Sequence, residues 1–419
     1  MKKQQFKNTP SPRLVTALGA LAIVGSATAQ DLTGSYGSFS DAALQSAALE
    51  AFGEGFSEDS YASTAFEYFS FGVNVNAEYN DNIFLTDQDE VEDFIFRVSV
   101  PLGLSNDKDS ENQWSLSYTP RFNFYADNSD QDGVDQFVDA GYRHVFAKTT
   151  VDLGLGYEKT DGADRFASGS IAKDAYKANL GVSHQYSGKS RFDLDLGFLA
   201  DEFEDDSLFD RERYNARVSW QYQATGKIEV GPYVAYEHAS QDGVANPDQD
   251  AISFGVRGKY QAFSKTTLIG YIGAEHRTFD GGDLDDKTSP TFEFGAKHQL
   301  TGKIDLTGML YHNIRASYSD AGQSYTATGV NFFANYAATA RISVNAGVSY
   351  EHDNYFETSS LSTAGDLDSD YVTLFLGGNY VMDNGFYVGP GLRYSTNDSE
   401  APTRDFGNLI FNINAGYNF

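Results

Sequence analysis

The 419-residue chain has no cysteine, which excludes disulfide staples, a thiolate metal site and a lipid-modified cysteine anchor. It also has no apolar run near the roughly 20 residues that a helical membrane span requires, so any insertion into a bilayer must use strands. Positive charge is scarce. The 30 Lys and Arg against 59 Asp and Glu give a formal net charge of −29, which excludes a nucleic-acid partner. Methionine (3) and tryptophan (2) are rare, whereas Gly (40), Tyr (27) and Phe (32) are abundant. The negative mean hydropathy is compatible with a membrane barrel, in which only alternate strand residues face lipid.

The N-terminus reads as a secretory signal over residues 1–29. Lys2, Lys3, Lys7 and Arg13 precede an apolar stretch from Leu14 to Val24, and Ala27-Thr28-Ala29 offers a small-residue cleavage site. Residues 30–67 are rich in Ser, Ala, Gly and acids, with one short helix expected around Asp41–Phe52; they form a periplasmic or plug segment.

Residues 68–419 read differently. About 18 alternating segments of 10–13 residues follow one another, each long enough to cross an outer membrane at a tilt. Short connections such as Ala147-Lys148, Thr301-Gly302 and Asp383-Asn384 alternate with longer acidic ones such as 80–92, 203–211 and 279–287. That asymmetry belongs to outer-membrane barrels, with periplasmic turns at one end and extracellular loops at the other. Lys189, Lys227, Lys265, Lys303 and Arg341 open strands at intervals of 38 residues, a unit of two strands, one turn and one loop. The fold class is therefore all-β: an up-and-down antiparallel transmembrane barrel of 16–18 strands.

Parity divides each segment. Tyr214, Ala216, Val218, Trp220 and Tyr222 oppose Arg213, Asn215, Arg217, Ser219 and Gln221, and no Lys or Arg falls on the apolar parity of the segments. His144, His298 and His312 do fall on it, toward strand ends. Tyr157, Tyr236, Tyr350 and Tyr394 lie near loop ends, and Tyr186, Tyr222, Tyr260, Tyr336, Tyr380 and Tyr417 near turn ends, as two interfacial girdles require. A soluble sandwich would have no reason to sort tyrosines by height.

The polar parity supplies the candidate lumen residues Arg97, Arg121, Arg143, Asp152, Asp193, Arg217, Glu229, Arg257, Lys259, Glu293 and Arg393. Facing a water-filled lumen they would select solutes by charge; paired across neighbouring strands they would only solvate the interior. Asn128-x-Asp130-x-Asp132-Gly133 with Asp139 resembles a calcium loop but lacks the closing Glu and the flanking helices. No G-x-S-x-G elbow or H-E-x-x-H occurs, and paired acids such as Asp205-Asp206 sit in loops where solvation explains them; no enzyme, cofactor or metal site is expected.

Tyr79-Asn80-Asp81-Asn82-Ile83-Phe84, followed by Asp93-Phe94-Ile95-Phe96-Arg97 and Pro101, resembles the opening of the putative β-barrel porin 2 family. The resemblance implies an outer-membrane barrel, and some members look associated with polysaccharide export. The expected function is a porin-like channel for passive diffusion or for polysaccharide export. The alternative is a structural or adhesive barrel acting through acidic surface loops. Expected partners are the lipid bilayer and lipopolysaccharide, the barrel assembly machinery and, from the resemblance, polysaccharide export components. The closing segment 406–419 alternates strictly apart from Ile410, and Tyr417 with Phe419 reads as the assembly signal.

Overall fold

The computed structural model describes residues 68–419 except 107–109, 168, 206, 244–245, 281–284, 320–322, 359–366 and 401–403. The expected signal peptide and the 30–67 segment lie outside the described residues. The strands are β1 (Phe69–Asn80), β2 (Asp93–Ser99), β3 (Leu102–Ser105), β4 (Asn112–Tyr125), β5 (Gly133–Val145), β6 (Thr149–Asp164) and β7 (Gly169–Ser187). They continue as β8 (Ser190–Phe203), β9 (Arg211–Thr225), β10 (Ile228–Gln241), β11 (Gln249–Phe263), β12 (Thr266–Phe279) and β13 (Lys287–Gln299). The last six are β14 (Ile304–Ala316), β15 (Gln323–Ala337), β16 (Ile342–Glu357), β17 (Asp368–Val381), β18 (Phe386–Ser399) and β19 (Phe406–Asn418).

Each strand pairs antiparallel with its sequence neighbour, and β1 pairs with β19 from Gly72↔Asn418 to Asn80↔Ile410, which closes the barrel. β2 and β3 are halves of one strand. The register against β4 runs through unchanged from Ser99↔Arg121 to Leu102↔Tyr118. Pro101 has no N–H to give the ladder, so the strand is interrupted there and the barrel has 18 staves.

The alternation has its physical cause in the two solvents. Val218, Val234, Phe254, Ile272, Leu376 and Ile413 point outward and are exposed, as a lipid-facing belt requires, because the bilayer rather than a protein core buries them. Tyr236, Tyr350 and Tyr394 flank that belt on the loop side, and Tyr222, Tyr260 and Tyr336 on the turn side. Inside, polar side chains face one another across the lumen.

The 38-residue repeat has a hydrogen-bond basis. The carbonyls of Lys189, Lys227, Lys265 and Lys303 accept from the N–H groups of Gln223, Gln261, Gln299 and Ala337 at 2.8, 2.8, 2.9 and 2.8 Å, ending each hairpin pair at the same place. Thr225, Thr301 and Thr339 cap the turns, their Oγ1 atoms accepting from the N–H two residues on at 3.1 Å each.

Two expectations need correction. The segments are not all 10–13 residues long: β6 and β7 run to 16 and 19 residues, past the belt, and make the longest hairpin among the described strands. On that extension Lys159 shares the outward parity of Leu155 and Tyr157, and its charge is met by Asp174 at 3.7 Å and Glu204 at 3.0 Å. The rule against outward cations holds within the lipid belt and lapses above it.

Candidate functional site: the lumen and its external mouth

The residues that suggested the family resemblance work at the barrel seam. Asn82 is fully buried; its Nδ2 donates to the Thr86 and Gly407 carbonyls at 2.7 and 3.0 Å, and its Oδ1 accepts from the Thr86 N–H at 3.1 Å. Asn408 donates to Asn80 Oδ1 at 2.6 Å, and the Leu409 N–H to Asp81 at 2.6 Å. The first loop is thus tied to the last strand. Asp93 takes the N–H groups of Ala126 and Asn128 and the Asn128 side-chain amide at 3.0, 2.9 and 2.8 Å. Asn128 is therefore engaged by the first residue of β2, while Asp139 lies along β5 opposite Gly156 of β6. No group of three or more His, Asp or Glu among the described residues is arranged to hold a metal ion.

The sequence-predicted lumen residues lie on the inward parity and are engaged largely with their neighbours. Arg97 pairs with Glu78, Arg121 with Asp135 at 2.7 Å, and Arg143 with Asp152 at 3.5 Å. Arg191 bridges Asp193 and Glu229, both at 2.8 Å, and Lys259 stands opposite Glu229 in the ladder. Arg257 reaches Asp195 at 3.6 Å. Arg217 lies over the rings of Tyr233 and Tyr271 at 5.7 and 5.6 Å, beside a recess of about 60 Å³ that Glu275, Arg277 and Asn313 also line. Glu293 on β13 is buried opposite Tyr271 and Tyr311, and Arg393 is half-buried on β18. Tyr417 and Phe419 stack edge-on at the turn side, where the Phe419 N–H donates to the Phe71 carbonyl at 2.8 Å.

The wall is chemically divided. Strands β2–β12 carry most of the inward charges, whereas β14–β19 and β1 present amides, including Asn74, Asn331, Asn345, Asn379, Asn412 and Asn414.

Side-chain exposure changes along the lumen. Toward the turn side exposure is mixed, with Arg143, Asp152 and Arg191 at 39, 44 and 36 % and Asp193 at 10 %; toward the loop side Arg165, Glu351, Arg315 and Asp353 are 7, 3, 5 and 0 %. The lumen is a vestibule on the periplasmic side and tightly packed at its external mouth.

The packing comes from infolded loops. At the tip of the β6–β7 hairpin Arg165 and Phe166 turn inward and reach the opposite wall. The Arg165 Nη2 contacts Glu351 and lies 3.1 Å from Asp353 Oδ2. Its guanidinium is sandwiched between Phe166 at 4.2 Å and Tyr371 at 4.6 Å. Burial works against its charge, but the two carboxylates outweigh that and hold its pKa well above the usual value. Arg315 pairs with Glu351 at 3.0 Å, and the Tyr311 hydroxyl donates to Glu351 at 2.6 Å. Phe166 packs with Tyr311, Tyr318, Tyr325 and Tyr355, and Leu208 of the β8–β9 loop adds to the same cluster. Tyr318, in the β14–β15 loop, donates to both Asp164 oxygens at 2.8 and 2.7 Å and lies under Arg211, which pairs with Asp201 at 2.7 Å.

Arg165, Arg315, Asp353 and the mouth tyrosines escape a parity reading. One signal was available: Glu237, Glu275 and Glu351 fall at the same phase of the 38-residue repeat, with Asn313 filling the remaining step. That phase marks the height at which the lumen narrows. Arg277 bridges the first two, with Glu237 at 2.7 Å and Glu275 at 2.9 Å.

Comparisons with known proteins follow the same outline. The chain is similar to the outer-membrane protein OpdK from Pseudomonas aeruginosa, with 12 % identity over 84 % of this chain and 100 % of that one and a TM-score of 0.48. It is also similar to OccAB3 of Acinetobacter baumannii, with 10 % identity over 84 and 99 % and a TM-score of 0.43. The FrpB iron transporter from Neisseria meningitidis gives 11 % over 84 and 82 %, with a TM-score of 0.45. No curated protein matches the chain. Residues 171–334, from β7 into β15, match the family model described as putative beta-barrel porin 2. A closed antiparallel barrel, a lipid-facing belt between tyrosine girdles and that match make this chain a porin-like barrel of the bacterial outer membrane.

Proposed function

We propose that the protein is a passive diffusion channel whose passage is controlled at the external mouth. The observation that carries this reading is the exposure gradient: an open, charged vestibule leads to one narrow zone built from Arg165, Arg315, Glu351 and Asp353. Opposite charges facing each other in a constriction create a transverse field, which orients dipolar solutes and slows mismatched ones. The acids and bases there are spent on one another, so the reading is transport and not catalysis.

A second reading, the outer-membrane conduit of a polysaccharide export system, is favoured by the amide-rich half of the wall. Asparagine offers both a donor and an acceptor to each hydroxyl of a neutral chain. In either case the outward tyrosines and the acids above them face the lipopolysaccharide headgroups, and Tyr417 and Phe419 serve the assembly machinery.

Planar-bilayer recording of the purified, folded protein tests the channel. Stepwise ion conductance is expected; a folded protein that carries no current would favour the structural or adhesive alternative. Polymer-exclusion measurements then separate small-solute diffusion from a conduit wide enough for a polysaccharide.

A further inference from the structure

The mouth contains a binding site that its own hairpin fills. Glu351 and Asp353 on β16 and Tyr371 on β17 belong to the wall, and together they meet one planar cation, the guanidinium of Arg165, contributed from across the lumen. Two carboxylates beside an aromatic face make a receptor for such a group. The tethered guanidinium uses it incompletely. Its Nη2 serves both carboxylates, while among the described residues its Nη1 and Nε have no hydrogen-bond partner, and neither does the buried Asp353 Oδ1.

Charge points the same way. Arg315 pairs with Glu351 and also acts favourably on Asp353, whose one ion pair among the described residues is with Arg165. When Arg165 leaves, the fully buried Asp353 loses its ion pair and keeps only the field of Arg315, which is unfavourable for its charged form. Departure of the hairpin therefore favours uptake of a proton or of a replacement cation by Asp353. The chain's net charge of −29 raises the local concentration of cations that could supply it.

We propose that Glu351, Asp353 and Tyr371 form a binding site for a small guanidinium-bearing solute, and that Arg165 is the internal occupant such a solute displaces. A free guanidinium can pair bidentately with Asp353 and stack on Tyr371, which the tethered one does not do in full. The binding site stands on the mouth geometry alone; passage of the bound solute rests on the channel reading above.

The test uses the full chain folded into phosphatidylcholine vesicles, with folding checked by heat-modifiable electrophoretic mobility and methylguanidinium chloride as the probe. Calorimetric titration of Arg165→Ala is expected to show binding at least tenfold tighter than in the wild type, where Arg165 competes. Adding Asp353→Asn to Arg165→Ala should abolish it. Equal affinity in wild type and Arg165→Ala, or no effect of Asp353→Asn, overturns the proposal. If Arg165→Ala does not fold, the wild type decides: methylguanidinium should speed tryptic cleavage after Arg165 relative to sodium chloride at equal ionic strength. Equal cleavage rates in the two salts overturn the proposal. Binding without current in any variant upholds the site and refutes the channel.

Discussion

Gly329 on β15 is where the mouth is most sensitive to a single methyl group. The hydroxyl end of the Tyr311 ring covers it from the neighbouring strand, so a Cβ there would overlap the ring's Cζ and hydroxyl and lie 2.8 Å from Cε1. Tyr311 is buried and its hydroxyl is committed to Glu351 at 2.6 Å, which leaves the ring no direction in which to yield. Gly329→Ala therefore combines overpacking, about 1–3 kcal/mol, with loss of a hydrogen bond to a charged group, about 1.5–3 kcal/mol. A total near 3–5 kcal/mol is expected. Gly308 on the adjacent strand is the control. A Cβ there meets its nearest atoms at 3.8 and 3.9 Å, so Gly308→Ala should change stability by less than about 0.5 kcal/mol. Urea unfolding from lipid vesicles, read by electrophoretic mobility, measures both. In a Tyr311→Ala background the cost of Gly329→Ala should nearly vanish, because the two residues share one contact. Equal midpoints for Gly329→Ala and Gly308→Ala would refute the account of the mouth as a rigid, ring-on-glycine packing.

Val256 faces lipid at mid-height on β11 between Pro232 and Ile272, so Val256→Arg should destabilise the barrel in vesicles by about 2–4 kcal/mol, while Lys259→Gln, inward and exposed, should not. Burial and the Asp164 carboxylate push the Tyr318 phenol well above its usual value of 10.0. Below pH 10 folded and unfolded phenols are both neutral and the contact counts in full; above it the unfolded phenol ionises first, so this contribution falls. The drop in urea midpoint from pH 9 to 11 should be smaller in Tyr318→Phe than in the wild type. Deleting Phe419 should reduce the amount of folded barrel in the outer membrane of cells, while protein refolded in vesicles conducts like wild type.

The staves were legible because lipid and water impose opposite demands on alternate residues, and period two survives in any single strand. The seam was legible too: the alternation of 406–419 and the motif around Asn82 belong to strands that meet. Ile410, which breaks that alternation, points inward and lies buried, as does Phe406 at the start of the strand. What did not show was whatever depends on the third dimension. Residues 159–173 are rich in Gly, Asp and Ser and read as a loop, yet inter-strand pairing carries them as ladder to Asp164 and from Gly169. The Arg165–Glu351 contact joins residues 186 positions apart, and no periodicity encodes it. Several inward charges that the alternation singled out have ion-pair partners, some on the next strand (Arg97, Arg121, Arg143) and some two or three strands away (Glu229, Arg257), a feature of register that composition does not contain.

The repeat of Lys189, Lys227, Lys265 and Lys303 also bears on how such a lumen could change in size. Each unit is a hairpin with a loop that begins and ends on the same side, so gain or loss of one unit leaves both chain termini where they were. Adjacent strands are about 4.8 Å apart, so every unit adds roughly 10 Å or more to the circumference once tilt is included. Bore therefore comes in hairpin-sized steps. Finer adjustment between steps falls to the infolded loops, and a lineage could exchange wide pores for narrow ones by duplication, keeping the Arg165 hairpin as the one part that must be refitted each time.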